Sequence, residues 1–180
     1  MVKLLLYIKR IYRLALNFQR QEEIVWTDLK KLHADKEWQS GVYEKEKYIE
    51  TIFNIGNQNQ GTFYYSIYDG CFHCKVEILD DFPIELTTDL FVLAAHFNNL
   101  LTEGLVIINV DSHYVAYHQK REFLIPLLYG AEIHGQLARH YKVSKDIYSA
   151  FQRLINENEA PAIIIADLLK NYDKKVNEEE

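Results

Sequence analysis

Cysteine, proline and glycine are all scarce in this chain, at two, three and seven of 180 residues. Two cysteines cannot build the disulfide framework of a small secreted protein, so that class is excluded. So little proline and glycine excludes collagen-like, linker-like and low-complexity architectures. Long apolar runs are missing as well. Nowhere do about 18 uncharged apolar residues follow one another, which excludes a spanning helix. The opening stretch Met1-Val-Lys-Leu-Leu-Leu-Tyr-Ile-Lys-Arg10 is interrupted by Lys9 and Arg10 and is followed by no small-residue cleavage site, unlike a signal peptide. A cytoplasmic protein is the expectation. Short chemical signatures are also lacking: no glycine-rich phosphate loop with its lysine, no dinucleotide fingerprint, no H-E-x-x-H and no nucleophile elbow.

What is present is an ordinary globular composition, 48% hydrophobic and 26% charged. The length suits one domain with an appendage, and a chain of this size buries roughly two-thirds of its unfolded surface without staples. Aromatic residues are plentiful, with 13 Tyr and nine Phe. They suit half-buried sheet faces, where a ring packs below and a hydroxyl meets water. The formal charge of −6 hides a split. Residues 1–20 carry Lys3, Lys9, Arg10, Arg13 and Arg20 with no acid, while the remainder sets 15 basic residues against 26 acids, a net of −11. An acidic body repels nucleic-acid backbones, so no nucleic-acid partner is expected.

Local patterning divides the chain further. Leu4, Ile8, Ile11, Ala15 and Phe18 recur at helical steps and predict a helix over 2–20. That helix is expected to pack on the domain or on a second copy of the chain; the alternative is an anionic membrane surface. A short helix is predicted over 27–39, and a second over 42–55 from Tyr48, Ile49, Ile52 and Phe53. Gly56-Asn-Gln-Asn-Gln-Gly61 reads as a loop. From Thr62 to Leu79, two β-rich runs flank Asp69-Gly70, a pair suited to a tight type I′ turn. Phe72, Cys74, Val76 and Ile78 share one face of the second run; Cys71, His73, Lys75 and Glu77 share the other.

A helix follows over 88–101, stopped by Gly104, and then a hairpin joins Leu105–Val110 to His113–His118, its second strand drawn on toward Leu128. Residues 131–142 read as a helix, and Ser144 reads as the cap of another. Pro161 opens a last helix to Leu169, although Ile163-Ile164-Ile165 also suits a strand. Residues 173–180 form a charged tail. The expected organisation is an N-terminal helical extension over 1–40, an α+β domain over 41–172 and that tail.

Cys71-Phe-His-Cys74 is the most tempting chemical motif. A C-x-x-C pair holds zinc or runs redox chemistry when a tight loop brings both sulfurs together. On a strand, three residues span about 10 Å and the odd separation sends the side chains to opposite faces. Cys74 is therefore expected in the core and Cys71 as a free thiol near the turn. His113 and His118 sit five apart on one strand, and His134 and His140 six apart on a helix, neither spacing aligning two ligands. Asp111, Ser112 and His113 are triad residue types, but neighbours in one turn cannot adopt triad geometry. No metal, cofactor or catalytic residue is assigned.

The order hairpin, helix, hairpin, C-terminal helix resembles the YbjN family and the type III secretion chaperone-like fold. Three stretches carry the likeness: the aromatic hairpin ending Cys74-Lys-Val-Glu-Ile-Leu79, the helix Leu90-Phe-Val-Leu-Ala-Ala-His-Phe-Asn98 with Leu101-Thr-Glu-Gly104, and the late helix Ile147–Ile155 with Ala160-Pro161-Ala162. The resemblance implies a noncatalytic fold, often dimeric, whose sheet or helix surface holds a partner protein.

The reading is thus an α+β domain, an antiparallel sheet of two hairpins with helices mainly on one face, acting as a noncatalytic chaperone-like or adaptor module. Tyr64, Tyr68, His73, Lys75 and Glu77 are its candidate partner surface, since polar-tipped rings among scattered charges suit protein contacts. The rivals are a small metal-dependent hydrolase using His73, His113 or His118, and a peripheral membrane protein anchored by residues 2–20.

Overall fold

In the computed structural model, residues 2–56, 59–122, 126–127 and 130–178 are described; for Val2, Lys3, Leu6 and residues beyond 170 the description covers the backbone alone. Helices α1 (Val2–Ala15) and α2 (Phe18–Asp35) precede strands β1 (Ser40–Tyr43), β2 (Tyr48–Gly56), β3 (Asn59–Tyr68) and β4 (Cys71–Leu79). A 3₁₀ turn at Ile84–Leu86 leads into α3 (Thr87–Leu100), then β5 (Leu105–Asn109) and β6 (Tyr114–Glu122). Helices α4 (Ala131–Asn156) and α5 (Pro161–Glu178) finish the chain. All strand pairings are antiparallel, and the six strands run in the order β1-β2-β3-β4-β6-β5. The class is α+β, with two strands beyond the two hairpins that the sequence predicts.

Those extra strands replace the helix expected over 42–55. Ile49, Thr51, Phe53 and Ile55 alternate with Tyr48, Glu50, Ile52 and Asn54, and the first set turns to the core. The spacing of Tyr48, Ile49, Ile52 and Phe53 fits a helix equally well. The β-branched Ile49, Thr51, Ile52 and Ile55, which lose side-chain freedom in a helix, favour the strand. Lys47, at φ 51°, makes the turn into β2. The expected loop over 56–61 shrinks correspondingly, because Gly56 closes β2 and Asn59 opens β3; residues 57 and 58 lie outside the described residues.

The predicted helix over 2–20 is two helices. Asn17 caps α2 by accepting a hydrogen bond from the Arg20 N–H at 3.0 Å. The Gln21 side chain donates to the carbonyls of Leu14 and Leu16, satisfying groups left over where α1 stops. Helix α2 therefore starts nine residues before the predicted 27–39 segment and ends at Asp35.

The Asp69-Gly70 hairpin forms as expected, with both residues at positive φ. Strand β6 spans Tyr114–Glu122, and the expected continuation toward Leu128 falls on residues 123–125 and 128, which lie outside the described residues. Ser144 caps nothing. It is buried inside the continuous helix α4, where its hydroxyl donates to the His140 carbonyl at 2.7 Å. Ile163, Ile164 and Ile165 are helical, and α5 runs on past Leu169 to Glu178, there being no glycine or proline to stop it.

Helices α2 to α5 share one core with a single face of the sheet. That face presents Ile49, Phe63, Tyr65, Ile67, Phe72, Cys74, Val76 and Tyr117; α2 contributes Val25, Trp26 and Leu29, α3 Leu90, Leu93 and Phe97, and α4 Ile133, Leu137, Ile147 and Phe151. Arg153 ties α4 to α5 by donating to Glu159 at 2.6 and 2.8 Å and to Asp167 at 2.9 Å. Strand β5 is an edge, and Asn98 of α3 shields it by exchanging two hydrogen bonds with the Val106 backbone. Placing every one of these helices on one side leaves the other face of the sheet, among the described residues, without a helical layer.

Candidate functional site

The candidate surface follows from strand parity. In β3 the core takes Phe63, Tyr65 and Ile67, so Tyr64, Ser66 and Tyr68 point the other way. In β4 the core takes Phe72, Cys74 and Val76, so His73, Lys75 and Glu77 turn to the other face, where Lys75 and Glu77 are half-buried and His73 is buried against the Tyr68 ring. All five residues singled out from the sequence, Tyr64, Tyr68, His73, Lys75 and Glu77, therefore occupy one surface. Registers Tyr64↔Lys75 and Ser66↔His73 put them side by side.

Two groupings organise this face. The first is centred on Lys75, whose ammonium lies 3.1 Å from a Glu77 carboxylate oxygen and over the rings of Tyr64 (5.7 Å) and Tyr114 (5.3 Å). Two cation–π contacts and an ion pair hold that flexible side chain upright in the sheet. The second is a row of three stacked rings across β3, β4 and β6. Tyr68 lies on His73 with centroids 3.8 Å apart and planes within 6°, and His73 lies beside His118 at 5.4 Å. The imidazole nitrogens His73 Nδ1 and His118 Nε2 are 3.2 Å apart, so one donates and the other accepts. Burial, followed by the nearby His118 and Lys120, lowers the His73 pKa to about 4; burial, then Lys75 and Lys120, lowers that of His118. With both values lowered, both imidazoles are neutral near pH 7.

Around these groups the face continues with a Tyr43–Tyr48 stack at 4.2 Å and with exposed Ile52, Leu105 and Ile107. Sequence reasoning missed Tyr114, His118, Tyr43 and Tyr48 as members. The alternation Tyr114, Ala116, His118, Lys120 along β6 carries the signal, but it needs the β4–β6 register Lys75↔His118 to be placed. Spacing along single elements, which aligns neither His113 with His118 nor His134 with His140, gives no sign of the His73–His118 pair, because a diagonal between neighbouring strands spans 45 residues of sequence.

The other histidines go elsewhere. His113 sits in the β5–β6 turn, its ring 3.7 Å from an Asp81 oxygen and beside Phe82. His33 and His140 are buried on the helical side. Among the described residues no group of three or more His, Cys, Asp or Glu side chains is arranged to hold a metal ion. Cys74 lies in the core, where burial raises its thiol pKa well above the usual range, and Cys71 is buried on the opposite parity beside the turn. Neither is in a disulfide. Burial of Cys71, expected as a free thiol near the turn, leaves it free but covered.

Two concave sites lie on the helical side. One, of about 440 Å³, is lined by Glu103, Gln119, Arg121, Glu132 and Arg139, whose charges largely satisfy each other: Arg121 reaches Glu132 at 3.1 Å and Gln119 donates to Glu103 at 2.7 Å. Another, of about 300 Å³, is aromatic, bounded by Trp38, Phe53, Tyr65, His134 and Tyr141. Among the described residues no helix is long and apolar enough to cross a membrane. Comparison with known proteins yields no matching family model and no matching curated protein.

Proposed function

We propose that this chain is a noncatalytic protein-binding module, chaperone-like or adaptor in kind, which holds a partner protein against the open face of its sheet. The observation that carries the reading is the face itself: every helix from α2 to α5 packs on the other side, leaving stacked tyrosines, a propped lysine and exposed aliphatic residues toward solvent. Tyrosine-rich surfaces with a few fixed charges suit protein contacts, since such rings bring large area at low entropic cost. The order of a β-meander, helix, hairpin and C-terminal helices agrees with the YbjN-like and type III secretion chaperone-like resemblance, which supports the same kind of role and adds a homodimer as its natural assembly.

Tyr68→Ala and Lys75→Glu probe the surface without touching the core, because neither side chain is buried. A protein that co-purifies with the wild-type chain and is lost from both variants, whose circular dichroism is unchanged, supports the reading. Retention by both variants overturns it. The rival, a small metal-dependent hydrolase, draws on the meeting of His73 and His118. Stoichiometric zinc after mild purification, lost on His118→Ala, favours that rival instead.

A further inference from the structure

We infer that α1 is an interfacial helix that lays its apolar side on an anionic membrane surface. This is independent of the sheet face and rests on how α1 is attached. At 3.6 residues per turn, Leu4, Ile8, Ile11 and Ala15 fall within about 60° of one another, with Leu5, Tyr12 and Tyr7 flanking them. An amphipathic helix of a globular domain normally turns such a stripe inward. Here the opposite holds. Leu4 is 63% exposed, Leu5 68%, Ile8 58%, Ile11 47% and Tyr12 64%. The domain grips the other side of the helix: Arg13 donates to Asp28 of α2 at 2.8 Å, Leu14 packs on the core, and Gln21 holds the terminal carbonyls of Leu14 and Leu16. The expected packing of the 2–20 stripe against its own domain is therefore not what forms, because its basic side is the one engaged.

Charge selects the occupant. Residues 1–20 hold five basic residues and no acid, whereas the rest of the chain is net negative; Arg13 and Arg20 lie against Asp28 and Glu23, and Lys9 is exposed beside the apolar side. An anionic lipid surface attracts the first and repels the second, which orients the molecule helix-first with the body held away. Lys9 lies at the border of the apolar arc, where its stem can run along acyl chains while its ammonium reaches a headgroup. A second copy fits worse: two such helices seam to seam bring Lys9 to the border of each with no acid on either to pair it. The helix has 14 residues, about 21 Å at 1.5 Å each, too short to span and long enough to lie in the interface.

The test is co-sedimentation of the full-length chain with phosphatidylcholine vesicles containing phosphatidylglycerol, compared with pure phosphatidylcholine. Each cation near an anionic surface is worth about a fivefold gain in partitioning, so binding to the anionic vesicles is expected to be at least about tenfold stronger and to fall with added salt. The variant Ile8→Asp/Ile11→Asp, substituted at exposed positions and checked for fold by circular dichroism, is expected to lose at least about tenfold in binding. Equal binding to both vesicle types, no binding, or undiminished binding by the variant overturns the inference. So does a wild-type dimer that the variant converts to monomer without any vesicle binding, which hands the apolar face to a second copy.

Discussion

Mild acid should unfold this protein, and three buried histidines set the size of the effect. His33, His73 and His140 are 3%, 5% and 0% exposed. Burial lowers their pKa values to about 4, about 4 and about 3, respectively. His33 keeps its neutral ring between Ser40 and Thr51, at 2.9 and 3.2 Å, and His140 lies flat on Tyr117 at 4.9 Å. A depressed histidine pKa means that the unfolded chain takes up the proton first. Stability is thus complete above the unfolded value near 6.5 and falls as pH drops from there toward 4, the opposite sense to a histidine held in an ion pair. At about pH 5 each unfolded histidine is protonated while its native counterpart is not, costing about 2 kcal/mol per residue and about 6 kcal/mol for the three. A domain stable by roughly 5–15 kcal/mol loses much of its margin to that. Urea unfolding followed by Trp fluorescence across this range should show stability falling by about 4 kcal/mol per pH unit at its steepest, and by about 3 in His140→Phe. The slope is the readout, so any packing cost of the larger ring does not confuse it. Equal stability at pH 7.5 and 5, or a His140→Phe slope matching the wild type, would refute the reasoning.

Two further perturbations test the fold. Gly104 has φ +84°, and a Cβ there would stand 2.6 Å from the His118 carbonyl oxygen. Gly104→Ala should therefore cost at least about 2 kcal/mol, read as a lowered melting temperature, and an unchanged melt would show that the β5–β6 hairpin does not hold that turn rigid. The double variant Cys71→Ser/Cys74→Ala should lose about 1–3 kcal/mol, mainly from the small cavity at Cys74, with no change in metal content by mass spectrometry. Zinc present in the wild type and lost in Cys71→Ser alone would contradict the opposite-face geometry of the pair.

Sequence alone determined the elements whose signals are short-range and unambiguous. Asp69-Gly70 dictates its hairpin because few other pairs tolerate positive φ twice, and the parity of Phe72, Cys74, Val76 and Ile78 assigns both faces of β4 once it is a strand. That same parity carried Tyr64, Tyr68, His73, Lys75 and Glu77 to one surface without any knowledge of their neighbours. Tertiary structure decided the rest, for two physical reasons. Apolar spacing over 42–55 satisfies helix and strand alike, and only pairing with β3, Ile49 opposite Tyr65, selects the strand. Periodicity also reveals that a helix has an apolar side but not which way that side faces. The stripe of α1 was legible from Leu4, Ile8 and Ile11, yet the Arg13–Asp28 contact across 15 residues turns it outward. The His73–His118 pair belongs with these. It exists only because β4 and β6 become neighbours, a fact held in the sheet order and in neither strand by itself.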